Sequence, residues 1–299
     1  MLADRRRFSF AFDGRKATLK RVHRASESYE LSVDGVAQSV VSLTDARRLA
    51  WPYVQHIARA IDAVAAPGAP VFAVHLGAGA MALTRYVAVT RPGSPQLVVE
   101  FERELCEAVL AALPLPDAAD IELVFGDARA IAETGVAETG VAAAGVAGAG
   151  SAAIREWQGA EVTVVDLWDA ATIRAHVASL EFYRLVAERS APQGLVAVNL
   201  LDGHPFDYAR AQAATLRKVF ADVAVITDFD PADTEGPLGN VVVLASGGAV
   251  AVAEHPELFG DEPPFVLHDA DLTAWIAEAG VLTDADRIDS PDIDDPRWA

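Results

Sequence analysis

From Pro70 to Ser246 the chain alternates short apolar runs with amphipathic stretches, and few folds satisfy that pattern. "PVFAVHL", "QLVVEFE", "DIELVFGDA", "AEVTVVDLWDA" and "GLVAVNLLD" read as buried strands. "AMALTRYVAVT", "RELCEAVLAAL", "SLEFYRLVAERS" and "FDYARAQAATLRKVF" carry helical spacing between them. Strand–helix alternation predicts an α/β protein with a mostly parallel sheet and helices on both faces. The run closes differently: "DVAVITDF" and "GNVVVLAS" are two strands joined by a polar loop. That connection predicts an antiparallel pair at the sheet edge, because a parallel pair needs a longer crossover.

The flanking regions follow other rules. In residues 1–42, Phe8, Phe10 and Phe12 alternate with Ser9 and Ala11, and Asp13-Gly14 and Asp34-Gly35 supply tight turns. A small antiparallel β domain is expected there. Residues 43–69 form a connecting region. Helical spacing runs from Leu43 to Val64, with Ser42 or Thr44 as a cap and Pro52 starting a new helix or kinking this one. Residues 70–282 hold the alternating unit. Within it the segment 133–152 repeats Gly-Val-Ala and reads as a flexible surface insertion. Residues 283–299 read as an acidic, frayed tail.

Composition narrows the function classes. No apolar run approaches the ~20 residues that span a bilayer, and the basic N-terminus lacks the apolar core of a secretory signal. Cys106, the one cysteine, allows no intrachain disulfide and reads as a buried helix residue. A cytoplasmic protein is expected. The net charge of −19 disfavours nucleic acid and suits cationic ligands such as polyamines. The histidines show no metal spacing, so no metal is expected.

Parallel α/β sheets bind ligands outside the carboxyl ends of their strands. Four features converge there. Gly77-Ala78-Gly79 forms a turn that lets the backbone approach a ligand at a helix start. Glu100 ends the next strand, placed to accept from both hydroxyls of a ribose. Asp127 ends the third strand, where it could meet an adenine amino group. Asp166 and Asp169 end the fourth. A turn and an acid at this spacing also fit NAD. Asp127 and the antiparallel finish favour an S-adenosyl-type nucleoside, so the sheet is expected to be Rossmann-like, of the S-adenosylmethionine methyltransferase type.

In order and spacing, these segments resemble the spermidine synthase family of aminopropyltransferases. "LSVDGVAQS" is similar to the family's Leu-x-x-Asp-Gly-x-x-Gln segment, which implies that Gln38 faces the nucleoside. "TDARRLAWPYVQH" resembles its Asp-Glu…Tyr-His-Glu helix and implies Tyr53 near the substrate. "HLGAGAM" resembles the Gly-Gly-Gly-Asp-Gly loop, "VVDLWDA" the Asp-Ser-x-Asp-Pro segment and "EFYRLV" the Phe-Tyr helix after it. The resemblance implies transfer of an aminopropyl group from decarboxylated S-adenosylmethionine to a small-molecule amine or polyamine. Asp166 would be the base, Asp169 would hold the amine or order the gating loop, and the protein would be a homodimer or homotetramer. Three positions depart. Ala80 stands where the loop has its acid, removing the obvious source of preference for the decarboxylated donor. Val54-Gln55 replace a His and a Glu, with His56 one place further on. The Pro after the second Asp is absent. Two alternatives therefore stay open: a methyltransferase using intact S-adenosylmethionine, and a non-catalytic nucleoside-binding homologue.

Overall fold

The computed structural model describes residues 7–117, 119–135, 140–142, 155–169, 171–260 and 263–292. Its first element is a four-stranded antiparallel sheet, β1 (Arg7–Phe12), β2 (Arg15–His23), β3 (Ser28–Val33) and β4 (Val36–Ser42), paired in that order. Asp13 and Gly14, and again Asp34 and Gly35, have positive φ, the backbone that two-residue hairpin turns require. Alternate residues bury one face: Phe12, Ala17, Leu19, Leu31 and Val33 pack on Ala80, Val109 and Leu113 of the larger unit.

The expected helix over 43–64 is shorter. Helix α1 spans Pro52–Val64, and Leu43–Trp51 is not helical. Proline fixes the start: it suits the first helical position and forces the residue before it into extended backbone. Trp51 has φ −103° and ψ 143° accordingly. Ser42 Oγ accepts from the Asp45 amide, so it caps a turn, not a helix.

The second sheet is built from β5 (Ala73–Leu76), β6 (Pro95–Glu100), β7 (Asp120–Phe125), β8 (Gly140–Ala142), β9 (Ala160–Val165), β10 (Ser190–Asp202), β11 (Asp222–Thr227), β12 (Gly239–Ser246) and β13 (Phe265–Leu267). Helices α2 (Ala82–Thr90), α3 (Arg103–Ala112), α4 (Ala128–Thr134), α5 (Leu180–Arg189), α6 (Asp207–Leu216), α7 (Ala251–Glu254) and α8 (Asp269–Ile276) lie between or after them. The strand order is β13-β11-β12-β10-β9-β5-β6-β7-β8. Strands β7, β6, β5, β9 and β10 run parallel, and β12 is antiparallel to both its neighbours. Alternate residues serve the two faces. Val196, Val198 and Leu200 join Trp157 and Phe182 on one side, and Leu195 and Ala197 join Ile57 and Val87 on the other.

The order corrects one expectation and extends another. The antiparallel pair is present, but β12 inserts between β10 and β11, and β13 covers the edge. Sequence adjacency specifies that two strands pair, not which side of the sheet each takes. Of the Gly-Val-Ala insertion, 140–142 pairs with β7, and 136–139 and 143–154 lie outside the described residues.

The tail is not frayed over 283–292. Arg129 grips Asp284 with two hydrogen bonds of 2.6 Å, the Ala175 amide donates to Asp289 at 2.8 Å, and Ser290 exchanges hydrogen bonds with the Ile173 backbone. Acidic side chains that read as solvated find arginine and backbone donors once the chain has folded. Residues 293–299 of the tail lie outside the described residues.

Candidate functional site

The strand order reverses between the parallel neighbours β5 and β9: β6 and β7 extend the sheet one way, β10 the other. A crevice opens at the carboxyl end of such a pair. The turn after β5 sits in it. Gly77 has φ +90°, and a Cβ there would lie 2.2 Å from the Asp166 carbonyl oxygen, so glycine lets this turn close on the end of β9. The Gly77 amide donates to Val99 O at 2.8 Å. One residue on, the Ala78 amide donates to Glu100 Oε2, and the Glu102 amide donates to Oε1 of the same carboxylate, both at 2.8 Å. Burial raises the pKa of Glu100, against the lowering effect of those amides.

Asp127 follows β7. Its Oδ1 accepts from the Ala130 amide at 2.9 Å and caps α4, and its Oδ2 faces His176 Nε2 at 2.8 Å. Desolvation opposes ionisation here, but the His176 and Ala130 hydrogen bonds outweigh it and hold the pKa below the usual value. The carboxylate is thus a helix cap and a cavity group at once.

Asp166 follows β9. Its Oδ1 accepts from Asn199 Nδ2 at 2.8 Å and from Trp168 Nε1 at 2.9 Å. Burial raises its pKa despite these donors. Tyr53, at the start of α1, has its pKa raised by burial and then by the nearby charge of Asp166. Asp169 meets two guanidinium groups: Arg174 Nε and Nη2 on Oδ2, at 2.9 and 2.5 Å, and Arg15 Nη1 at 3.6 Å from Oδ1.

One cavity of about 530 Å³ collects these groups. Gln38, Tyr53, Gly77, Gly79, Glu100, Asp127, Asp166 and Asp169 all line it, so every candidate residue of the sequence reading is brought to one place. Two other positions are not. Ala80 is fully buried in the core under the N-terminal sheet and does not line the cavity. His56 points at Asp228, with Nε2 2.8 Å from Oδ1, and packs edge-on against Phe259. It does not line the cavity and replaces nothing there.

The sequence reading missed Arg15, Glu102, Arg174, His176, Asn199 and Asn240, which also line the cavity. Asn199 had a signal, being the one polar residue inside the apolar run "GLVAVNLL". Arg15 had none, because Asp34 and Asp169 lie 19 residues or more away; Arg174 lies five residues from Asp169, but its second partner, Asp289, is distant in sequence. Among the described residues no group of His, Cys, Asp or Glu has a metal-binding arrangement, and no helix is long and apolar enough to cross a membrane.

No protein-family model matches the sequence, and no curated protein matches it. Solved structures do. A probable spermidine synthase from Corynebacterium glutamicum superposes with a TM-score of 0.76 at 22% identity, over 93% of this chain and 96% of that one. A spermidine synthase in complex with the transition-state analogue AdoDATO gives 0.56 at 14% identity, over 90% and 84%. The spermidine synthase of Thermotoga maritima gives 0.53 at 13%, over 86% and 78%. At these identities the shared property is the architecture. The chain has the spermidine synthase fold.

Proposed function

We propose that the protein is an aminopropyltransferase-like enzyme, taking an aminopropyl group from decarboxylated S-adenosylmethionine to an amine. The observation that carries this reading is the meeting of Asp166 and Tyr53 with the turn at Gly77, Glu100 and Asp127 in one cavity under the N-terminal sheet. A solved relative of this fold is described in complex with AdoDATO, which supports an adenosyl co-substrate. Glu100 would hold the ribose, Asp127 the adenine amino group, and Gln38, Gly77 and Gly79 the rest of the nucleoside. The amine nitrogen bonds to the aminopropyl carbon beside sulfur. The carbon–sulfur bond breaks with its electron pair returning to sulfur, methylthioadenosine leaves, and the nitrogen's proton passes to Asp166. We further place the protein in the cytoplasm as a homo-oligomer acting on small molecules, without nucleic acid, membrane or metal.

The part of the turn that lines the cavity, Gly77-Ala78-Gly79, favours a second reading, a methyltransferase using intact S-adenosylmethionine. The turn offers no acid there for a donor ammonium, and none that would repel a donor carboxylate. Calorimetric titration with both donor forms, methylthioadenosine and NADH separates the readings. Tighter binding of the decarboxylated donor supports the first, and of the carboxylated donor the second. NADH binding alone refutes both. For the first reading, Asp166→Asn abolishes amine-dependent release of methylthioadenosine and leaves methylthioadenosine binding nearly intact. Unchanged turnover removes Asp166 from the role of base.

A further inference from the structure

The carboxylates of the cavity are not equally available to a ligand. Glu100 and Asp127, each oxygen already accepting one hydrogen bond or facing His176, are the two that the proposed reading gives to the nucleoside. Asp169, which the family resemblance assigns to the amine, faces Arg174 on one oxygen and Arg15 on the other. Arg174 pairs a second time, with Asp289 at 3.1 Å, and Arg15 with Asp34 at 3.2 Å, so each guanidinium is held by two carboxylates. Glu102 lies 3.9 Å from Arg15, and desolvation raises its pKa. Asp166 differs: its Oδ1 takes both donors, and Oδ2 takes none among the described residues. The N-terminal sheet adds Arg15 and the apolar Leu31, Val33 and Val36 to the wall, and no acid.

A diamine needs two anionic subsites. This cavity offers Asp166 Oδ2, beside Tyr53. Its other aspartate that the resemblance gives to the amine already faces two guanidinium groups, and Glu102 is paired across 3.9 Å with one of them, Arg15. From this geometry we infer that the acceptor carries one positive charge: a primary monoamine held through its nitrogen by Asp166, with Arg15 and Arg174 excluding a second ammonium at Asp169. The inference rests on the proposed transferase reading and narrows it. Exclusion works as specificity often does, through a repulsive element set against the wrong ligand. A fixed guanidinium does this better than lysine, because it stays charged at any working pH and its planar fork holds its carboxylate.

n-Butylamine and putrescine have the same four-carbon reach and differ at the far end alone. Each is titrated calorimetrically into the full chain saturated with methylthioadenosine, so that no turnover is needed. n-Butylamine is expected to bind about tenfold or more tightly than putrescine, a difference of one repelled charge. Arg174→Gln, a substitution at a half-exposed side chain, is expected to narrow that ratio by improving putrescine, and Arg15→Gln to narrow it again. Putrescine binding as tightly as n-butylamine to the unaltered protein overturns the inference. So does a methylthioadenosine complex that binds neither amine, which leaves the nucleoside half of the reading standing. Failure to bind methylthioadenosine removes the transferase reading, and the inference falls with it.

Discussion

Asn199 donates from Nδ2 to Oδ1 of Asp166 at 2.8 Å, and Asn240 in turn donates to Asn199 Oδ1 at 3.0 Å. This relay crosses from β12 through β10 to the end of β9. It engages Oδ1 of Asp166 and partly offsets the effect of burial on that carboxylate. Asn199→Ala removes a hydrogen bond to a charged group, worth about 1.5–3 kcal/mol, so kcat/KM is expected to fall by about tenfold or more. The loss also raises the Asp166 pKa further, so the pH–rate limb governed by that group moves to higher pH. A lower rate with an unmoved limb would mean that Asn199 acts on packing alone.

Glu100 holds the turn and the start of the next loop by its two oxygens. Glu100→Gln replaces one acceptor with a donor that faces a backbone N–H. Methylthioadenosine affinity is expected to drop by about tenfold or more, the scale of one lost charge-assisted hydrogen bond. Calorimetry measures it, and unchanged affinity excludes Glu100 from holding the ribose.

Gly77→Ala tests the close approach of the turn to β9. Gly93 is a control: it also has positive φ (+82°), but a Cβ there meets nothing within 4 Å. Gly93→Ala therefore costs backbone strain alone, about 1 kcal/mol. Gly77→Ala adds a clash with the Asp166 carbonyl, so its Tm falls further and nucleoside binding weakens with it. Equal losses at the two positions would contradict the packing of the turn on β9.

His75 is buried in β5 with Nε2 2.9 Å from Gln96 Oε1. Burial lowers its pKa from 6.5 to about 4, against the raising effect of Gln96. The unfolded chain thus takes up a proton that the folded chain refuses. The contribution is fully present above about pH 6.5 and is lost as the pH falls toward about 4, a change of about 3 kcal/mol. Urea unfolding across that window measures the slope. His75→Asn flattens it relative to the unaltered protein, and an unchanged slope assigns the pH dependence to other groups.

Asp289 and Ser290 hold the Ile173–Ala175 backbone that carries Arg174 and leads to His176. Asp289→Ala is expected to speed amide hydrogen exchange at Ala175 and its neighbours without altering exchange in β5 or β9. Exchange unchanged at Ala175 would show that the acidic segment does not restrain this wall.

The sequence by itself determined what is local. Alternating apolar runs specify strands and helices because burial follows a period of two or 3.6 residues. Asp-Gly pairs specify hairpins because those turns need positive φ. That Glu100, Asp127 and Asp166 meet in one cavity was legible because a parallel sheet delivers successive strand ends to one edge. Tertiary structure alone decided the rest. The place of β12 between β10 and β11, the cover of β13, the burial of Ala80 and the docking of 283–292 depend on which distant surfaces meet. So do the pairing of Asp169 with Arg15, which lies far before it in the chain, and that of Arg174 with Asp289, which lies far after it. Pairings across such separations are settled by the packing of the whole chain, because no short stretch holds both partners.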